Sequence, residues 1–278
     1  MHIDDVIKYC IVALFSSTML DDPELVLKGG TALRLVEKIK DRMSTDMDFS
    51  IDSPVNNPDS YFSKIQRVLS NHFKTLRYEV IDFKFEKKPK QRREDQPYFW
   101  GGWACQFKLV DVKHKNLTLE SKRRNALMPT GSNSTKIELE VSENEYCGSV
   151  HKVKIDDVSV TTYTNVALVL EKIRSLCQAH PDYPHSKTKD RARDYLDIFA
   201  LVEKYKSEKF YDKLKKELPP VFKAKEVDFR LLNKIFEPDF SNLQKQNFIG
   251  VQDRVQKKTQ PFEFYEEYLK GLIQKIKL

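Results

Sequence analysis

Apolar positions along the chain change their period near residue 161, and the change divides the sequence. Before it, alternating runs mix with helical stripes. Ile3, Val6, Ile7, Cys10, Ile11, Leu14 and Phe15 predict an amphipathic helix over 3–20, packed on a sheet and ended by Asp21-Asp22-Pro23. Leu25-Val26-Leu27 is a continuous apolar run, which reads as a buried strand. Ala32, Leu33, Leu35, Val36 and Ile39 then recur at helical spacing, and residues 47–51 read as a second strand. Pro54 and Pro58 bracket a turn before a helical stripe of Tyr61, Phe62, Ile65, Val68, Leu69 and Phe73. Residues 78–86 and 136–142 alternate with period two, and residues 98–110 predict a strand bulged at Gly101-Gly102. Beyond 161, helices are expected over 164–178, 191–204, 207–217, 226–236, 240–249 and 261–277. The expected architecture is an α/β mixed sheet with flanking helices over residues 1–160, then an α-helical domain over 161–278.

The chemistry concentrates between Leu25 and Asp52. A strand, the turn Gly29-Gly30-Thr31, a helix, a loop with Arg42 and Ser44, and a strand with Asp46 and Asp48 follow one another. Side chains alternate along a strand, so Asp46 and Asp48 share one face while Met47 and Phe49 enter the core. Paired carboxylates repel, and a bound divalent cation relieves the repulsion. Hard oxygen ligands suit Mg²⁺ or Mn²⁺, with substrate phosphates filling the remaining positions. The glycines permit a sharp turn, and the helix start behind them favours phosphate. A Gly-Gly before a helix is usually only a tight turn, and a lone D-x-D is usually a solvated strand edge. Their succession in this order is much less common by chance. The spacing is neither that of a P-loop nor that of a dinucleotide fingerprint.

Composition narrows the class. The chain has 278 residues, 40% hydrophobic and 32% charged, which is globular. A net charge of +7 permits a nucleic-acid partner without requiring one. Cys10, Cys105, Cys147 and Cys177 lack metal spacing and read as reduced cysteines of a cytoplasmic protein. No apolar run is long enough for a membrane span, and no signal peptide is expected. The segment KFEKKPKQRRED carries Lys84, Lys87, Lys88, Lys90, Arg92 and Arg93. It reads either as a solvated hairpin loop or as a basic flap for RNA, with Lys122, Arg123 and Arg124 adding to it.

KGGTAL followed by RMSTDMDFSI resembles the nucleotidyltransferase superfamily that includes DNA polymerase beta, and more narrowly the AbiEii-type toxins of toxin–antitoxin and abortive-infection systems. Gly30-Thr31 stands where the wider superfamily has Gly-Ser. The EK-x-R stretch with Lys172 and Arg174, and the R-D-x-x-D of Arg193, Asp194 and Asp197, are similar to two further AbiEii motifs. The resemblance implies nucleotidyl transfer from an NTP to an acceptor hydroxyl, with RNA or tRNA as the acceptor, and with an antitoxin as partner. It implies metal ligation by Asp46 and Asp48, and phosphate binding by Gly29, Gly30 and Thr31. Arg42, Ser44 and Arg193 would lie near the nucleotide, and Lys172, oriented by Asp194, would supply charge. A third carboxylate is expected at Glu138, with Glu140 behind it. The rival expectations are a small-molecule nucleotidyltransferase of the antibiotic-modifying type and a catalytically silent nucleotide- or RNA-binding module.

Overall fold

A computed structural model describes residues 1–17, 23–39, 45–91, 97–186, 189–253, 255 and 258–277. The chain forms two compact units, Met1–Val36 with Ser44–Thr162, and Glu37–Met43 with Tyr163–Leu278.

The first unit is built on a mixed seven-stranded sheet, as the sequence pattern predicts. Helix α1 (Ile3–Phe15) starts at a capping box, in which the His2 side chain accepts from the Asp4 backbone N–H and Asp5 returns the bond. Strand β1 (Val26–Lys28) runs directly into the short helix α2 (Gly29–Leu35). Strand β2 (Met47–Ser50) follows, then α3 (Pro58–Thr75), which is capped by Asn57 and begins with proline. Strands β3 (Tyr78–Lys88) and β4 (Gly102–Asp111) form a long hairpin, and α4 (Leu119–Arg124) precedes β5 (Ile137–Ser142). Strands β6 (Val150–Ile155) and β7 (Val158–Tyr163) complete the sheet. The strand order is β3-β4-β5-β2-β1-β7-β6.

One face of this sheet carries the core. Phe62 of α3 stacks on Phe85 at 4.7 Å between centroids and lies 5.1 Å from Trp103, while Phe73 reaches Phe107. Leu27, Met47, Phe49, Leu139 and Val141 are buried on the same face. Alternation then sends Asp48, Glu138, Glu140 and Gln106 to the opposite face.

The second unit is helical. Helix α5 (Asn165–Ala179) is capped by Thr164 and is buried along most of its length. Around it lie α6 (Ala192–Tyr205), α7 (Glu208–Lys223), the single turn α8 (Leu231–Lys234), α9 (Pro238–Gln252) and α10 (Phe262–Ile276). The segment that begins at Glu37 is anchored here. The Glu37 carboxylate accepts from Tyr205 Oη at 2.5 Å, and Lys204 Nζ donates to the Glu37 carbonyl at 2.5 Å.

The structure corrects several boundaries. Helix α2 ends at Leu35 and does not extend to Ile39, because Lys38 already has a positive φ of 56°. The β6–β7 hairpin was not anticipated: its outer strand β6 alternates only between exposed and half-buried positions and buries no side chain. The bulge lies in β3, between Ile81 and Lys84, and not at the glycines of β4. Gly102 instead serves a close approach: a Cβ there would sit 2.1 Å from the Val141 carbonyl oxygen. Overpacking of that kind costs about 1–3 kcal/mol. Gly102→Ala is therefore expected to lower the urea midpoint of unfolding by a corresponding amount, with an unchanged slope.

Candidate active site

Register assembles the acidic face. Strand β1 pairs antiparallel with β2, with Lys28 opposite Asp48. Strand β2 pairs parallel with β5, with Met47 beside Leu139 and Asp48 beside Glu140. Paired residues in a ladder project to the same side, so Lys28, Asp48 and Glu140 form one row on the polar face. Glu138 lies two residues along β5 on that face, opposite Gln106 of β4. Asp46 is exposed at the bend that enters β2, and Asp48 is half-buried. Glu138 and Glu140 are exposed and make no hydrogen bond or ion pair among the described residues. The directly paired neighbour of Asp48 is Glu140, with Glu138 one step further along the strand.

The glycine turn is fitted to Asp48. Gly29 has a φ of +65°, a left-handed conformation that side chains rarely adopt. A Cβ at Gly29 would meet Asp48 Oδ2 at 2.2 Å and Asp48 Cγ at 2.9 Å. The turn thus lies directly against the carboxylate. Gly30 is buried in the first turn of α2. Thr31 is fully buried, and its hydroxyl donates to the Asp46 carbonyl at 2.7 Å. That bond ties the start of α2 to the entry of the D-x-D strand. Arg42 and Ser44 lie outside the described residues.

Strand alternation and the glycine turn leave the direction of Lys28 undecided in the sequence, and the structure places it in this row. Its side chain is buried, and Nζ donates to Ser142 Oγ at 3.1 Å and lies 3.5 Å from Glu145 Oε1. The antiparallel register that sets it opposite Asp48 is not written in the local pattern.

The second unit holds the remaining candidates. Lys172 of α5 is buried, and its Nζ donates at 2.7 Å to both Asp194 Oδ1 and Asp197 Oδ2 of α6. Asp194 and Asp197 stand three apart, so both face α5 from one side of α6. Asp194 Oδ2 is buried without a hydrogen bond, with Arg191 Nη1 at 3.7 Å. Burial, with the Glu266 carboxylate next, holds the neighbouring Tyr195 phenol far above its ordinary range, so it is neutral. Arg193 is half-buried on α6.

Other charged residues are committed to structure. Lys122 bonds Glu79 at 2.7 Å, Arg123 bonds Asp82 at 2.7 Å, and Arg124 pairs with Glu120. The Arg123 guanidinium holds the Asp82 carboxyl below its usual range. These three cations therefore do not extend a free basic surface. Within the basic stretch, Lys84, Lys87 and Lys88 belong to β3, while Arg92 and Arg93 lie outside the described residues. Cys10, Cys105 and Cys177 are buried thiols, and burial pushes Cys105 up to about 12.

Among the described residues, no group of three or more His, Cys, Asp or Glu side chains stands close enough to hold a metal ion by itself. No described helix is long and apolar enough to cross a membrane.

The family model described as nucleotidyl transferase AbiEii toxin, type IV toxin–antitoxin system, matches residues 12–267. No curated protein matches the sequence. Among solved structures, JHP933 from Helicobacter pylori is 18% identical, with 98% of this chain and 93% of that chain covered and a TM-score of 0.42. An antigenic nucleotidyltransferase-like protein from Paracoccidioides brasiliensis is 17% identical, with 81% and 94% covered and a TM-score of 0.40.

Two measurements probe this geometry. Gly29→Ala places a side chain in a left-handed conformation, which costs roughly 1–2 kcal/mol, and drives it into Asp48. A loss of at least that size is expected in urea unfolding, and an unchanged midpoint would contradict the close fit. Lys172→Ala leaves two buried carboxylates without their cation, a change that costs about 3–5 kcal/mol. Adding Asp194→Asn and Asp197→Asn to Lys172→Met should restore much of that stability in the same measurement.

Proposed function

The chain belongs to the AbiEii nucleotidyl transferase toxin family, and we propose that it moves a nucleotide from an NTP to a hydroxyl of RNA, with Mg²⁺ or Mn²⁺ held at Asp46 and Asp48. The observation that carries the reading is the Asp48 carboxylate lying against Gly29, with Glu140 paired beside it on the polar sheet face.

The donor set suits a hard divalent cation. It consists of carboxylates alone, and Glu138 and Glu140 have no competing ion pair among the described residues. Mg²⁺ is commonly held by only one or two carboxylates, with substrate phosphates and water completing its shell. When bound, the cation offsets phosphate charge and lowers the pKa of a coordinated hydroxyl.

The chain's own groups position the reactants. Thr31 fixes the carbonyl of Asp46, and so the approach of the D-x-D strand to the glycine turn. Gly29, without a side chain, lets the Asp48 carboxylate lie directly against the turn, and Gly29, Gly30 and Thr31 are assigned to the phosphates in this reading. Glu138 or Glu140 accepts the proton of the attacking hydroxyl. The acceptor oxygen forms the new bond to the α-phosphorus, the α–β anhydride bond breaks, and pyrophosphate leaves with the electron pair. Lys172, held by Asp194 and Asp197, supplies a cation for the triphosphate, and Arg193 adds a nucleotide contact. The partners of this reading are NTP, an RNA or tRNA acceptor and a cognate antitoxin.

Incubation with each of four labelled NTPs, bulk tRNA and Mg²⁺ tests the assignment. Label is expected on RNA with the wild type, and Asp48→Asn should reduce it at least a hundredfold while circular dichroism stays unchanged. Label on a small-molecule acceptor only would favour the antibiotic-modifying rival. Nucleotide binding without any transfer would favour the silent module. Near-normal transfer by folded Asp48→Asn would falsify the role of the acid pair.

A further inference from the structure

The acidic row extends beyond β5, and its continuation says where an acceptor lies. Two cross-strand rows run over the polar face toward β3. In one, Glu140 is opposite Ala104, and Ala104 is opposite Glu86. In the other, Glu138 is opposite Gln106, and Gln106 is opposite Lys84. The two rows differ in what they offer. The first has a small floor at Ala104, and the acid at its end is engaged, with Lys90 Nζ 2.9 Å from Glu86. The second passes from an exposed acid through an amide to an exposed lysine. Neither the Lys84 nor the Gln106 side chain makes a hydrogen bond or an ion pair within 4 Å among the described residues.

Two of the other cations nearby are already used, whereas Lys88 of β3 and Lys136, two residues before Glu138, are exposed as Lys84 is. Lys108, next along β4 on this face, lies 3.6 Å from Asp82, which also binds Arg123. Lys122 is bound by Glu79. Lys84 is an exposed positive charge on the same face as the acids, with Glu86 two residues along its strand. Neighbouring strands are about 4.8 Å apart, so Lys84 stands roughly 10 Å from Glu138 across two strand steps.

A reacting hydroxyl must come to the acids, but phosphates attached to it cannot remain beside Glu138 and Glu140 without repulsion. They find a neutral donor at Gln106 and a cation at Lys84. We infer that the 3′ end of a single-stranded RNA lies across β5, β4 and β3 along this row, with its terminal hydroxyl toward Glu138 and Glu140 and a backbone phosphate at Lys84. The inference rests on the transfer reaction proposed above for the site's chemistry, and it adds the path and polarity of the acceptor. A cationic small-molecule acceptor would gain nothing from Lys84.

The test uses the full chain and a short 5′-fluorescein-labelled single-stranded RNA with a free 3′ hydroxyl. Binding is followed by anisotropy over a salt series, and transfer to the same RNA by labelled NTP. Lys84→Ala should weaken binding and reduce the magnitude of the log K against log salt slope by about 0.7, the value for one phosphate contact on a single strand. Gln106→Ala should weaken binding roughly threefold to tenfold with the slope unchanged, as for loss of a neutral hydrogen bond. Both should raise the KM for RNA and leave the KM for NTP unchanged. Lys74→Ala, on exposed α3, is the control and should change neither quantity. If the wild type transfers but Lys84→Ala keeps the full slope and RNA KM, the path is wrong and the reaction stands. If the slope falls as expected but no RNA is labelled, the path stands and the reaction is wrong. Absence of RNA binding by the wild type overturns the path.

Discussion

The register of three strands, β1, β2 and β5, sets everything else in the candidate site. Burial of Met47 and Phe49 against Leu139 and Val141 leaves Asp48 no choice of face. A slip of one residue would expose those apolar side chains and bury the carboxylate, so the register is strongly specified. The same ladder brings Glu140 beside Asp48 and Lys28 opposite it. Gly29 then completes the fit, because the chain leaves β1 in a conformation and at a distance that admit no side chain.

The protein handles charge in two contrasting ways. On the sheet face, Glu138 and Glu140 stay solvated and unpaired among the described residues, which is inexpensive in water and keeps them available. In the helical unit, Lys172 is buried and met by two carboxylates at 2.7 Å. A buried cation needs such partners, since removing it from water costs several kcal/mol. The arrangement fixes the ammonium in place between α5 and α6. It leaves Asp194 Oδ2 buried without a hydrogen bond, with Arg191 Nη1 at 3.7 Å.

Basic residues that look alike in sequence also part ways. Lys122, Arg123 and Arg124 are spent on Glu79, Asp82 and Glu120. Lys84 belongs to the other basic stretch, sits on a strand beside a glutamine, and makes no ion pair within 4 Å among the described residues. Charge composition alone supports a diffuse basic flap. The cross-strand pairing connects Lys84 by a row of side chains to the acids.

Much of the fold was legible because it is written in local periodicity. The stripe of α3, the alternation of Ile137, Leu139 and Val141, and the helical run after residue 161 each follow from burial of one face. The strand–glycine–helix–D-x-D order was legible too, because the turn and the acids are close in sequence. What only the tertiary structure decided is pairing between distant segments. Nothing near Lys28 announces Asp48, Ser142 or Glu145 as its neighbours, and nothing near Glu140 announces Asp48. Nor does the sequence around Thr31 reveal that its hydroxyl holds the carbonyl of Asp46. Periodicity tells each strand which side chains to bury, and so which to expose. It does not tell a strand which partner to take or in what register, because those are fixed by the packing of the whole sheet.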